Sequence, residues 1–219
     1  MIDVDKLIAD GYTVNKIDDG IYEVENFIGE DDRSFVYEFC ESLTEEQWQQ
    51  SYIDNLKSQA MINFGTDDID MLIAEHKIIK NEKLLDKSIA IARDLPSGGP
   101  EKRLWDLAHG FANRLKAYVA DYPVRPFGVI QRHYTGVGLD EHVDQRNDPR
   151  LKFACVIYLN ENYVDGELYF PDRGIELKPK QRSLIMFDAS DDYLHGVKAV
   201  GDGPTRYAMT SFIWDDSVR

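Results

Sequence analysis

The rhythm of apolar and polar positions changes near Pro123. Before it, apolar residues recur mostly at helical spacing. Phe35, Val36, Phe39, Cys40 and Leu43 form one stripe, and Asp31 or Asp32 stands where an N-cap is wanted. Thr44 and Gln47 read as a capping box for a second helix that reaches Met61. Pro96-Ser97-Gly98-Gly99-Pro100 breaks the chain, and Pro100 suits the start of a helix running to Ala120. In that helix Leu104, Leu107, Ala108, Phe111, Leu115 and Tyr118 make an apolar stripe. Leu84 to Leu95 is also expected to be helical, whereas residues 63–81 fit helix and strand equally. Two short strands, Tyr12 to Val14 and Ile21 to Val24, flank Gly20.

After Pro123 the pattern becomes a series of short β-type segments separated by turns. They are Phe127 to Tyr134, Leu151 to Leu159, Glu167 to Phe170, Ile175 to Leu177, Ser183 to Phe187, His195 to Val200 and Thr205 to Trp214. Strands this short and this evenly spaced predict a sandwich or barrel rather than a parallel α/β sheet. One domain over 1–219 is expected, with strands and supporting helices in 1–123 and a β core in 124–219.

Candidate chemistry concentrates in the stretch from His133 to Asp144, HYTGVGLDEHVD. In an extended strand, positions i and i+2 share a face, so His142 and Asp144 project together. His195, followed by Gly196-Val197, offers a second imidazole. Two His and one Asp can cap one face of a metal ion and leave the other open, which suits non-haem Fe(II) oxygen chemistry. Arg206 opens the last strand after a Gly-rich turn; a guanidinium turned into a barrel needs an anion there. Thr210 shares its face, and Tyr158 is a further donor on the second core strand. Taken singly these residues have ordinary readings too, a surface histidine or a surface ion pair.

In order, the pieces resemble a known family. They are His142-x-Asp144, Tyr158-Leu159-Asn160, Gly166-Glu167-Leu168-Tyr169-Phe170, Ser183 to Phe187, His195-x-Val197 and Arg206 to Thr210. This set resembles the 2-oxoglutarate- and Fe(II)-dependent dioxygenases, in particular the prolyl-4-hydroxylase-like branch. The resemblance is densest from residue 127 to the end. It implies an α+β, mainly β fold: a double-stranded β-helix, or jelly roll, with N-terminal helices packed against one sheet. It implies His142, Asp144 and His195 as iron ligands. Arg206 would hold the distal carboxylate of 2-oxoglutarate, with Tyr158 helping, Tyr134 lining the site and Thr210 near it. Fe(II), 2-oxoglutarate and O2 are implied, with ascorbate as an optional reductant. The implied reaction hydroxylates an unactivated C–H bond, prolyl in a protein or peptide, with release of succinate and CO2. A free amino acid or other small molecule stays open as substrate, as does a catalytically idle binding module.

Composition narrows the partners. Hydrophobic residues make up 43% and charged residues 30%, as in an ordinary globular domain. The net charge of −15 belongs to residues 1–75, which hold 19 acidic and 4 basic residues. That lobe would repel a phosphate backbone, so nucleic acid is an unlikely partner. No signal peptide or membrane span is legible, and Cys40 and Cys155 stand apart, so a soluble cytoplasmic protein is expected. His133 faces away from Tyr134 by strand parity and reads as structural, as do His76 and His109. Trp48, Trp105 and Trp214 read as packing residues, and Gly136-Val137-Gly138 as a turn that lets the chain approach the site. Arg146, Asn147 and Arg150 border the HxD loop and read equally as substrate contacts or as a solvated loop.

Overall fold

The computed structural model describes residues 2–48, 53, 57, 60–61, 65–74, 88–90, 99–119, 122–146 and 148–217. Helix α1 (Val4–Ala9) is capped by Asp3, whose carboxylate accepts the Lys6 N–H at 2.9 Å. A hairpin follows, β1 (Thr13–Asp18) and β2 (Ile21–Glu25), paired antiparallel. Helix α2 (Glu30–Ser42) starts from Gly29, not from Asp31 or Asp32. Those two carboxylates lie inside the first turn with Glu30, where the helix dipole favours negative charge. The capping box forms as expected: Thr44 N–H donates to Gln47 Oε1 at 2.8 Å, and Gln47 N–H to Thr44 Oγ1 at 3.3 Å.

Helix α3 (Ile69–Ala74) gives the helical outcome for part of the ambiguous 63–81 stretch. Ser88–Ala90 forms strand β3, against the helix expected over Leu84 to Leu95. It lies along the edge of β4 (Val129–His133), with Ile89 opposite Ile130; pairing with an open strand edge outweighs local helical spacing. The rest of that expected helix, and the end of the Thr44 helix, lie outside the described residues in part. Helix α4 (Gly99–Lys116) carries the predicted apolar stripe, with Leu104, Ala108, Phe111 and Leu115 buried.

The remaining strands are β5 (Leu139–His142), β6 (Leu151–Tyr158), β7 (Leu168–Phe170), β8 (Ile175–Leu177), β9 (Leu184–Asp188), β10 (His195–Val197) and β11 (Arg206–Trp214). They build two antiparallel sheets, β1-β2-β9-β6-β11-β4-β3 and β5-β10-β7-β8. This is the sandwich-like, mainly β arrangement that the short segments predicted, and the jelly roll that the resemblance implied.

Strand alternation divides the core in two. On one face of the large sheet, Cys155, Ile157, Leu184, Met186, Tyr207, Met209 and Ile213 pack against Leu7, Val36, Leu104, Phe111 and Leu115 of the helices. On the other, Ala154, Tyr158, Ile185, Phe187 and Ala208 face the small sheet's Leu168, Phe170 and Val197. Each fully buried Leu or Phe contributes about 1.5–3 kcal/mol, so the helices fix the large sheet while its inner face is left to build a site. Cys40 and Cys155 are buried and unpaired. Among the described residues no helix is long and apolar enough to cross a membrane.

Candidate metal centre

Two short strands and a turn bring the three candidate ligands together. His142 ends β5, His195 begins β10, and the two are register partners. The close approach depends on the turn before β5. Gly136 adopts φ +80°, and a Cβ on Gly138 would lie 2.5 Å from the Val197 carbonyl oxygen. Asp144 does not continue the strand; it opens a 3-10 turn, Asp144–Arg146. The turn is tied down by Gln145 N–H to the Ala189 carbonyl at 3.1 Å and by Gln145 Nε2 to the Leu151 carbonyl at 2.7 Å.

The Nε2 atom of His142 is 3.5 Å from Asp144 Oδ1, and Nε2 of His195 is 3.8 Å from Oδ2. One donor atom from each residue lies within 4.8 Å of the other two. Each imidazole is oriented from behind. His142 Nδ1 sits 2.9 Å from the Asp140 carbonyl, and His195 Nδ1 2.9 Å from the Tyr193 carbonyl. A proton on Nδ1 donates to each carbonyl and leaves the Nε2 lone pair facing the shared point. The His195 ring is also held by Phe187, with centroids 4.5 Å apart at 66°.

Burial favours the neutral form of His195 and lowers its pKa. Burial also acts on His142, but the Asp144 carboxylate and the Asp140 carbonyl outweigh it and raise its pKa. Asp144 Oδ2 is buried with no hydrogen-bond partner. An acceptor left bare in an apolar interior is costly, and a cation facing it removes the cost. The set therefore fits a divalent ion of the Fe(II) type, held by two imidazoles and one carboxylate.

A second polar group lies in the same interior. Arg206, 1% exposed, stands opposite His133 across β11 and β4. Its Nη2 donates to the Tyr158 hydroxyl at 3.1 Å, and its Nη1 is 3.4 Å from His133 Nδ1. Arg206 forms no ion pair among the described residues, and its Nε–H has no partner. Asn160 clamps the backbone on both sides of it, donating to the Thr205 carbonyl at 2.8 Å and accepting the Tyr207 N–H at 3.0 Å. A desolvated guanidinium held rigidly without a counter-charge suits an incoming carboxylate.

Thr210 sits further along β11, and its hydroxyl donates to the Val129 carbonyl at 3.4 Å. Tyr134 is 38% exposed, with the Arg132 guanidinium 5.6 Å from its ring. His133, read from sequence as merely structural, takes the inward position beside Arg206. Arg146 pairs with Asp191 at 2.7 Å and Arg150 with Asp148 at 2.6 Å, both at the surface; Asn147 lies outside the described residues. Asn160 and Tyr163 were not singled out as site residues. Asn160 acts through backbone contacts and Tyr163 lies in a loop, where strand parity gives no direction.

Residues 129–214 match the model described as the 2OG-Fe(II) oxygenase superfamily. Fe(II) and 2-oxoglutarate are the metal and co-substrate of that superfamily, in keeping with the triad. No curated protein matches the chain by sequence. Among solved structures, the chain is similar to a Trichoplax adhaerens prolyl hydroxylase in complex with a hypoxia inducible factor oxygen degradation domain peptide fragment. The TM-score is 0.53 and the identity 16%, over 99% of this chain and 89% of that one. A Pseudomonas putida prolyl-4-hydroxylase follows with TM-score 0.52 and 15% identity, over 89% and 92%. A viral collagen prolyl hydroxylase from Paramecium Bursaria Chlorella virus-1, as its 2OG complex, gives 0.50 and 15%, over 91% and 98%. At these identities the likeness establishes the jelly-roll fold.

Proposed function

We propose that this chain is an Fe(II)- and 2-oxoglutarate-dependent dioxygenase that hydroxylates a prolyl residue in a protein or peptide. The observation that carries the reading is the pairing of two incomplete sites in one interior. Among the described residues the triad leaves a buried carboxylate oxygen without a hydrogen-bond partner, and Arg206 is a buried cation without an anion. A metal-only protein would account for the first and leave the second unexplained.

His142, Asp144 and His195 hold the iron, and Arg206 with Tyr158 holds the distal carboxylate of 2-oxoglutarate. When bound, the pair supplies oxidative chemistry that releases succinate and CO2 and hydroxylates a C–H bond. The chain's own tasks are positional. The Asp140 and Tyr193 carbonyls aim the two imidazoles. Asn160 fixes the backbone that presents Arg206. Phe170, Phe187 and Val197 keep the interior apolar around His195 and restrict water. The prolyl substrate is supported by the three structural neighbours, each named a prolyl hydroxylase, one of them with a peptide bound.

The test is a panel of proline-containing peptides beside free amino acids, with Fe(II) and 2-oxoglutarate, read by mass spectrometry. Gain of one oxygen atom on a prolyl residue, matched by succinate, is the expected result. Gain confined to free amino acids would move the substrate class. Succinate formation that does not depend on added Fe(II) would overturn the reading.

A further inference from the structure

We propose that Tyr163 is a second recognition residue for the co-substrate: its hydroxyl donates to the carboxylate that Arg206 neutralises, so one guanidinium works between two phenols. The proposal rests on the co-substrate role given above to Arg206.

Tyr163 lies in the loop after β6 and is 1% exposed, yet among the described residues its hydroxyl makes no hydrogen bond of normal geometry. It is not a loose side chain. Lys178 Nζ donates to the Tyr163 carbonyl at 2.5 Å and stands 4.9 Å from the ring centroid. The Arg206 guanidinium carbon is 5.9 Å from the same ring, and 4.9 Å from the ring of Tyr158. Gly166 shows how closely the two side chains meet. A Cβ at that position would lie 3.3 Å from Tyr163 Cδ2 and 3.4 Å from Arg206 Cδ, while φ of +72° already favours glycine there.

The donor inventory points to an anion. The Tyr158 hydroxyl accepts from Arg206 Nη2, which leaves its own O–H proton to donate elsewhere. Arg206 Nε–H and the Tyr163 hydroxyl are both buried, and neither makes a hydrogen bond of normal geometry among the described residues, although the guanidinium lies close enough to draw on the phenol. Burial pushes the Tyr163 phenol above its ordinary pKa, against the pull of Arg206, so it remains a donor at neutral pH. A desolvated guanidinium with an unused Nε–H, and a buried phenol beside it, are costly without an acceptor. A carboxylate offers several lone-pair sites and can accept from the guanidinium and the phenols together.

The experiment is anaerobic calorimetry on the Mn(II)-loaded protein with two chelators, 2-oxoglutarate and oxalate. Oxalate can chelate the metal and has no distal carboxylate. Tyr163→Phe should bind 2-oxoglutarate about tenfold more weakly than wild type, the size of one hydrogen bond to a charged group, with oxalate affinity unchanged. A loss below about threefold for 2-oxoglutarate would overturn the proposal, since a bond to a charged group is larger. An equal loss for both chelators would overturn it too, because the tyrosine would then be structural. Arg206→Ala, run alongside, separates the two levels: if it leaves 2-oxoglutarate binding intact, the Arg206 reading itself fails.

Discussion

His142 and His195 stand opposite one another across the β5–β10 pair, with ring centroids 4.3 Å apart. Each ring is turned by the carbonyl two residues before it, Asp140 and Tyr193. The site is thus encoded twice, once in strand register and once in local backbone hydrogen bonds. Asp144 completes it from a turn.

Asp144→Asn should separate stability from metal binding. Oδ2 is buried with no hydrogen-bond partner among the described residues, so without metal, losing its charge should cost less than about 1 kcal/mol or stabilise the fold. Wild type should gain about 2.7 kcal/mol at a hundredfold excess of Mn(II) over Kd, and the variant should gain almost none. Thermal unfolding with and without Mn(II) reads both effects.

Arg206→Met should leave metal affinity close to wild type while weakening 2-oxoglutarate by roughly 2–5 kcal/mol, the cost of removing one partner of a buried charge pair. The metal-free variant should be as stable as wild type or more so, because a desolvated guanidinium with no ion pair is removed. Equilibrium unfolding and metal titration check the two claims independently.

Asn160→Ala should act through Arg206. It removes the acceptor for the buried Tyr207 N–H and the donor to the Thr205 carbonyl, a loss of about 1–3 kcal/mol in stability. Steady-state kinetics should show a higher KM for 2-oxoglutarate with a smaller change in kcat.

Two glycine substitutions should move in opposite directions. Gly138→Ala drives a Cβ against the backbone of β10 at Val197 and should cost about 1–3 kcal/mol, with weaker metal binding because β5 carries His142. Gly110→Ala, in α4 with nothing within 4 Å of the new atom, should stabilise by about 0.5–1 kcal/mol and leave metal affinity unchanged. Chemical denaturation of both variants measures the contrast.

His142, Asp144 and His195 were legible as a candidate set through the ordered motifs that resemble the family, since HxD spacing alone is weak, and the fold brings the three together with Asp144 on a turn. What stayed hidden has physical causes. The large sheet is buried on both faces, so apolar alternation does not say which face of β4 looks inward. Parity put His133 and Tyr134 on opposite sides, but tertiary packing decided that His133 meets Arg206. Strand β3 was obscured because an edge pairing with β4 outweighs local propensity. Tyr163 was hidden because it lies beyond the end of β6, where no periodicity orients a side chain.

The most direct measurement is anaerobic visible spectroscopy of the protein with Fe(II) and 2-oxoglutarate. The account predicts a weak metal-to-ligand charge-transfer band in wild type, lost in His142→Ala. No band in wild-type protein shown to have bound iron, or an undiminished band in His142→Ala, would contradict it.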